Sequence, residues 1–392
     1  MQSHVSCVAM IDFLPKSDCC GCTACASACG RSAISMKPDD EGFLYPSVDG
    51  EKCAHCGLCE KACPIVRRDK CEHNYAEPKV YALHLKDTEV WEKSSSGGVF
   101  SALSNYILSQ GGCVFGAEYN ERREVVHAKA ETPAQAEAFR GSKYVQSDMR
   151  GIYPMVREEL LSGRPVLFSG TPCQCEGLRG YLRKEYSNLY IVDIMCHCVP
   201  SPKVFADYIT FIQKKARASI CAMNMKDKTL GWGNQSPRIY FDNGKEWFHS
   251  PETRLWNTIF YSRLATRPSC YHCRFTNYTR PGDVTIGDFW GIEETHPDFY
   301  DKRGVSFIFI NNEKGNGLFH AVRDRFVAQE SHVSKCMQPQ LRHPVSAPEQ
   351  REQFWHDYTH MKFRQLCSKH FQYGMLNTLR RWASKVKQRI IR

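Results

Sequence analysis

The chain has 392 residues, 42% hydrophobic and 24% charged, with a formal charge of +10, which excludes a disordered or collagen-like polymer and leaves room for two or three domains. The charge does not mark a nucleic-acid protein: nine Lys or Arg and no acid fall between Lys362 and Arg392, and subtracting these nine leaves +1 for the rest. Twenty-one cysteines, an odd number bunched at short spacings, argue against a disulfide framework and for thiolates that hold metal in a reducing compartment such as the cytosol.

Along the chain, Met1 to Lys16 lacks the basic region, apolar run and small-residue cleavage site of a secretory signal. No apolar stretch approaches the roughly 18 residues of a spanning helix. Cys19, Cys22, Cys25 and Cys29 then recur as Cys53, Cys56, Cys59 and Cys63, each shifted by 34 positions. Each half reads C-x2-C-x2-C-x3-C, the spacing by which one loop wraps three corners of a cubane and sends its fourth cysteine to the other cluster. Two [4Fe-4S] clusters are therefore expected. Cluster I takes Cys19, Cys22, Cys25 and Cys63; cluster II takes Cys53, Cys56, Cys59 and Cys29. The second half ends in Cys63-Pro64, whereas the first ends in Cys29-Gly30 and carries an extra Cys20. A pair of zinc sites explains two such runs of four cysteines poorly. The pattern points to a module that moves electrons.

After Lys70 the pattern alternates. A strand is expected at Lys79 to Leu85, then a Ser/Gly turn at Ser94 to Gly98 opening a helix through Val99, Phe100, Leu103, Tyr106 and Ile107, stopped by Gly111-Gly112. Cys113 to Tyr119 reads as a strand. Pro165 to Phe168 and Leu189 to Met195 are short apolar runs ending in Thr171-Pro172-Cys173 and Cys196-His197-Cys198, and both read as buried strands of a largely parallel sheet. Helices are expected at Glu176 to Glu185 and Pro202 to Lys215. Beyond Ala216 a hairpin is expected around Asn243-Gly244, then a helix at Glu252 to Leu264 and strands at Val284 to Gly287 and Val305 to Ile310. The fold class is thus α/β and α+β, with four parts: a ferredoxin-type module at 1–72, an α/β domain with a largely parallel sheet at 73–216, a second C-terminal lobe at 217–345, and a basic helical tail at 346–392.

Ser95-Ser96-Gly97-Gly98, Gly141-Ser142-Lys143-Tyr144, Gly170-Thr171-Pro172-Cys173-Gln174, and Cys270-x2-Cys273 followed by Gly287-Asp288-Phe289-Trp290 together resemble the beta subunit of coenzyme F420 hydrogenase and dehydrogenase. The likeness covers about Val80 to Asn311, and the fusion to a two-cluster module is similar to bacterial members, many without a deazaflavin partner. The resemblance implies FAD, a further iron-sulfur cluster, and electron exchange with a small-molecule hydride donor or acceptor. It also implies a cofactor site drawn from Ser96, Gly97, Gly98, Ser142, Lys143, Tyr144, Thr171, Gln174, Asp288, Phe289 and Trp290, with Lys143 a candidate catalytic cation. Read from the residues alone, Ser94 to Gly98 is a helix N-terminus suited to pyrophosphate or an ordinary cap. Lys143 is a cation beside reduced flavin or a solvated surface charge, and Phe289 and Trp290 are ring-packing or core residues. Cys196 and His197 are neighbours on a strand and point apart, so no thiolate-imidazole pair is expected.

A third cluster is expected on Cys173, Cys196, Cys270 and Cys273. The C-terminal ends of parallel strands gather at one edge, and Cys270-x2-Cys273 matches the position of the family's own cluster-binding pair. Cys175 and Cys198 are the alternates within each pair; buried free cysteines or half a zinc site are the plainer readings. In the tail, Met375, Leu379, Trp382, Val386 and Ile390 fall at helical spacing among basic residues, which suits a packed helix or peripheral contact with an anionic membrane. The expected protein is a cytoplasmic iron-sulfur flavoprotein oxidoreductase served by ferredoxin or another redox protein. Its rivals are a bare electron-carrying subunit, without turnover of its own, and a redox enzyme of polysaccharide or other surface-polymer synthesis.

Overall fold

The computed structural model describes residues 11, 14–67, 74–336 and 338–374. In the N-terminal module helix α1 (Ala24–Ala28) precedes the antiparallel strands β1 (Ile34–Pro38) and β2 (Leu44–Val48), and helix α2 (Leu58–Ala62) is α1's counterpart across the repeat. The duplication extends to the backbone. Gly21 and Thr23 have φ of 68° each, and their counterparts His55 and Gly57 have 49° and 69°. Left-handed residues interleaved with ordinary ones curl the loop so that its N–H groups converge, a backbone nest suited to anions and iron-sulfur centres.

The chain continues through strand β3 (Lys79–Leu85), helices α3 (Thr88–Lys93) and α4 (Val99–Ser109), strands β4 (Cys113–Tyr119) and β5 (Val125–Ala130), and helices α5 (Pro133–Ala136) and α6 (Ile152–Leu161). Next come strand β6 (Val166–Gly170), helix α7 (Pro172–Leu182), strand β7 (Leu189–Ile194), helix α8 (Pro202–Ala216), strands β8 (Ile220–Asp227), β9 (Ser236–Phe241) and β10 (Glu246–Phe248), and helix α9 (Pro251–Ser262). Strand β11 (Val284–Asp288), helix α10 (Ile292–Thr295), strand β12 (Ser306–Ile310), helix α11 (Glu313–His320), strand β13 (Phe326–Ser331) and helices α12 (Arg351–His360) and α13 (Phe363–Phe371) complete it.

Eight strands form one sheet in the order β13-β3-β12-β11-β7-β6-β4-β5, and β8, β9 and β10 form a small antiparallel one. Two expectations are corrected here. The large sheet is parallel only at its centre, β4-β6-β7-β11, and antiparallel on both flanks. The segment from 217 to 345 is not a separate lobe either, since β11, β12 and β13 return to the sheet begun by β3 to β7. Every residue of β12 is buried; a run apolar on both faces needs a covered interior position, and the middle of the large sheet is where one exists. The parallel centre also carries a fully buried acid, Asp193 on β7, to whose Oδ1 Arg280 donates from Nε and Nη2 at 3.0 and 2.6 Å.

The tail divides. Helices α12 and α13 bury Phe354, Leu366, Cys367 and Phe371 in the cluster formed by α8, α9 and the small sheet, so the stretch up to Gly374 is packed domain. The amphipathic run from Met375 to Ile390 lies outside the described residues. Among the described residues no helix is long and apolar enough to cross a membrane.

Candidate functional site

The two cysteine loops meet because α1 and α2 pack on each other and both pack on α7. The Cys25 thiol is pushed up first by burial and then by the charges of Cys19 and Cys63. Cys22 is hydrogen-bonded to Cys20, which lowers its pKa, but burial and the charges of Cys63 and Cys25 raise it on balance. Each thiol of the expected cluster I set thus faces others of the same set, across the repeat. Cys22, Cys25 and Cys63, which resist ionising, fit a cationic iron-sulfur core, which supplies the missing counter-charge. In the second set, Cys59 is pushed up by burial and also feels Cys53, while Cys56 is exposed and Cys29 Sγ accepts from Ala33 N at 3.3 Å. Among the described residues no three His, Cys, Asp or Glu side chains are gathered around one ion position.

The third group assembles at the C-terminal edge of the parallel strands. Cys173 follows β6 at the start of α7, Cys196 follows β7, and Cys270 and Cys273 bracket a short 3-10 helix at Pro268–His272. Burial raises the Cys196 thiol most, followed by Cys270, Cys173, Cys273 and Cys198. The four expected ligands therefore lie within charge range of one another. The two alternates are not equivalent. Cys175 turns away, its Sγ donating to Gly170 O and Val192 O at 3.6 and 3.9 Å in the core, because residues two apart on a helix point to nearly opposite sides. Cys198 stays with the group and accepts from Thr266 Oγ1 at 3.5 Å. Cys20 joins the two regions, hydrogen-bonded to both Cys173 and Cys22.

A cavity of about 340 Å³ opens against this thiol group, lined by Cys173, Cys196 and Cys198 and also by Ser94 to Ser96 with Gly98. The 11-residue helices α4 and α7 begin at its wall, so two positive helix ends face it. Ser96 Oγ is buried with no hydrogen-bond partner among the described residues, and so is Gln235 Nε2; both line the cavity. Orphaned polar atoms of this kind await a polar ligand.

The expected cofactor residues divide on inspection. Ser96, Gly98, Ser142, Lys143, Tyr144, Thr171, Gln174, Asp288 and Trp290 line the cavity. Phe289 does not: it is fully buried in a core with Phe307 and Phe309. Gly97 does not either. A Cβ there would stand 2.2 Å from Leu83 O and 2.9 Å from Ser306 N, so its smallness lets the loop lie on the sheet and does not admit a ligand. Gly98 has φ +86° and a Cβ would meet Leu85 Cδ1 at 2.5 Å, again a packing demand. Lys143 is no solvated charge. It is buried, its Nζ donates to the carbonyls of Ala138, Arg140 and Gly141 at 2.8, 3.0 and 3.0 Å, and burial draws its pKa down to about 7. Its three protons hold the loop that forms one wall. No hydrogen bond joins His197 to Cys196 among the described residues.

Lys226, Trp232 and His127 had no legible signal in the sequence. Asp288 pairs with Lys226 and accepts from Trp232 Nε1 at 2.9 Å, and Trp232 stacks on Trp290 at 4.5 Å. His127 lines the cavity from β5. Its Nε2 donates to Ser169 O at 3.0 Å, which leaves Nδ1 to accept from Ser147 Oγ at 2.9 Å, and Gln174 Nε2 donates to the same hydroxyl at 2.8 Å. Burial drives the His127 pKa down to about 4. Below its unfolded pKa of about 6.5 the unfolded chain takes up a proton that the folded chain refuses, so stability falls with acid down to about pH 4, by about 3 kcal/mol for this group. Anaerobic denaturant titrations at pH 7 and pH 5 are expected to show a smaller acid loss in His127→Gln than in the wild type; equal losses remove the histidine from the account.

A second, larger cleft of about 1070 Å³ adjoins the first through Ser94, Ser95, Arg140 to Lys143 and Lys226, and Arg123, Lys228, Lys302 and Arg303 make it basic.

Residues 163–335 match the family described as the C terminus of the coenzyme F420 hydrogenase/dehydrogenase beta subunit, and residues 18–65 match a 4Fe-4S dicluster domain. The chain is 23% identical over 324 residues to the F(420)H(2) dehydrogenase F subunit of Methanosarcina mazei, covering 80% of this chain and 84% of that protein. It is also similar to a chain of the F420-reducing [NiFe] hydrogenase complex from Methanosarcina barkeri, with a TM-score of 0.47 and 16% identity over 75% of this chain and 96% of that one. Residues 163–335 are thus similar to the C terminus of coenzyme F420 hydrogenase/dehydrogenase beta subunits, and they follow a stretch that matches a 4Fe-4S dicluster domain.

Proposed function

We propose that this chain is an iron-sulfur flavoprotein oxidoreductase that passes electrons between the N-terminal clusters and a small hydride-exchanging molecule, through FAD and a third [4Fe-4S] cluster. The observation that carries the reading is the shared cavity, lined both by the thiols of Cys173, Cys196 and Cys198 and by the helix end with the orphaned Ser96 hydroxyl. A ligand there touches both. Ser96 and the N-terminus of α4 would hold a pyrophosphate. Lys143 fixes the 138–141 loop, Asp288 with Lys226 fixes the far rim, and Trp290 on Trp232 closes the side toward the basic cleft. When bound, flavin supplies an exchange between two-electron hydride transfer and one-electron steps. The basic cleft is the approach for the small molecule, and its cations favour an anionic one.

The dehydrogenase relative is named as one subunit among others, which favours a second reading: the chain delivers electrons to a separate catalytic protein and turns over nothing alone. Anaerobic protein reconstituted with iron, sulfide and FAD tests both. The expected result is a brown protein with one releasable FAD, reducible by a hydride donor unaided, and the loss of about four irons in each of Cys22→Ala and Cys56→Ala. Zinc in place of iron overturns the cluster reading. Flavin that only a partner protein can reduce supports the second reading.

A further inference from the structure

Arg267 is fully buried, and its guanidinium lies against the cluster I loop. Nε donates to Cys19 O at 2.8 Å, Nη1 to Gln146 Oε1 at 3.0 Å and Nη2 to Leu44 O at 3.0 Å. All three acceptors are neutral. The rings of Tyr45 and Phe43 lie 4.4 and 5.2 Å from Cζ. Gly21 presses so closely that a Cβ would stand 2.6 Å from Nη1. Yet among the described residues no carboxylate forms an ion pair with Arg267, whereas the equally buried Arg280 is matched by Asp193. A buried charge without a counter-charge is costly. Among the described residues the anionic candidates beside it are sulfurs: that of Cys19, 3.8 Å from Nη2, and that of Cys173, within charge range.

A cluster held by four thiolates is a net anion, and each electron it accepts makes it more negative. Its potential follows net charge, hydrogen bonds to sulfur and exposure to solvent. Burial alone therefore makes cluster I harder to reduce than cluster II, whose Cys56 is exposed. We infer that Arg267 is a positioning residue that serves as the fixed counter-charge of cluster I, raising that cluster's reduction potential to or above that of cluster II. The inference rests on the ligand reading of cluster I given above. Its consequence is directional. Cluster I is the N-terminal cluster next to the third thiol group, through Cys20 between Cys22 and Cys173, so an electron leaving that group finds a favourable seat in the nearer N-terminal cluster before it moves to the exposed one.

The test is an EPR-monitored redox titration of the full chain, with the cluster I signal identified as the one lost in Cys22→Ala. In Arg267→Gln the cluster I midpoint is expected to fall while cluster II stays in place; Arg267→Lys, which keeps the charge and loses the fork, is expected to recover most of the fall. An unchanged cluster I midpoint in Arg267→Gln with iron intact overturns the inference, as does a lysine variant that falls as far as the glutamine one. Should neither variant hold cluster I, the wild-type order decides: cluster I below cluster II overturns it, and cluster I at or above cluster II supports it. Failure of the underlying ligand reading looks different, since Cys22→Ala would then keep all its iron.

Discussion

Replacing Cys273 with alanine is expected to lower iron from about twelve to about eight atoms per chain while the signals of the dicluster domain persist. Cys273 leaves the 3-10 helix at Pro268–His272, and its thiol is pushed up to about 11, by burial first and then by Cys173. It therefore belongs to the group at the strand ends, and among the described residues Cys173, itself an expected ligand, is the cysteine that presses on it. The other positions are better insured. Cys198 lies within charge range of both Cys196 and Cys270, and Cys20 is hydrogen-bonded to Cys173. Cys270→Ala and Cys173→Ala are accordingly expected to retain part of the third cluster where Cys273→Ala retains none. Iron and acid-labile sulfide per chain, measured on anaerobically reconstituted protein, check the order. A wild type that stops at about eight irons, with Cys273 dispensable, means that these thiols are core and that electrons reach the N-terminal module directly from the flavin.

Gly97→Ala is expected to destabilise the protein by about 3 kcal/mol and to empty the proposed flavin site, more severely than Gly98→Ala. The Cβ of an alanine at 97 would collide with backbone on two strands, Leu83 O of β3 and Ser306 N of β12, and sheet backbone does not yield. The collision also breaks the bond that Gly97 N donates to Ser306 Oγ at 2.9 Å and threatens the one Leu85 N donates to Gly97 O at 2.9 Å. Ser96 and the start of α4 would lift from the cavity with it. At Gly98 the obstacle is the flexible end of Leu85 and a left-handed φ, which costs an alanine about 1 to 2 kcal/mol. Chemical denaturation and FAD content of the two variants test this. A Gly97→Ala protein with wild-type stability and full flavin would show that the loop does not rest on the sheet as described.

Much was written locally. The 34-residue repeat made the dicluster domain legible because ligand spacing around a cubane is a short-range matter, and the structure repeats even the left-handed φ values at Gly21, Thr23, His55 and Gly57. The strands at Lys79–Leu85 and Cys113–Tyr119, the helix Pro202–Ala216 and the Asn243-Gly244 hairpin stand where alternation, helical period and turn chemistry set them. Period 2 also held a warning about Phe289: neighbours of an extended chain point to opposite sides, so Asp288 and Trp290 sharing the cavity sends Phe289 to the core.

What only tertiary structure decided concerns residues whose meaning depends on a distant partner. Lys143 is a wall anchor because the 138–141 carbonyls curl around its ammonium. His127 enters the site because β5 pairs with β4 at the sheet's edge. Strand β12, apolar on both faces, joins the large sheet with β11 and β13 because its middle covers both those faces, while β8, β9 and β10 form the small sheet. Arg267, some 250 positions from Cys19, is buried without a carboxylate because the fold brings the N-terminal module back onto it. Local pattern carries period and spacing; which charge meets which thiol is settled by long-range packing.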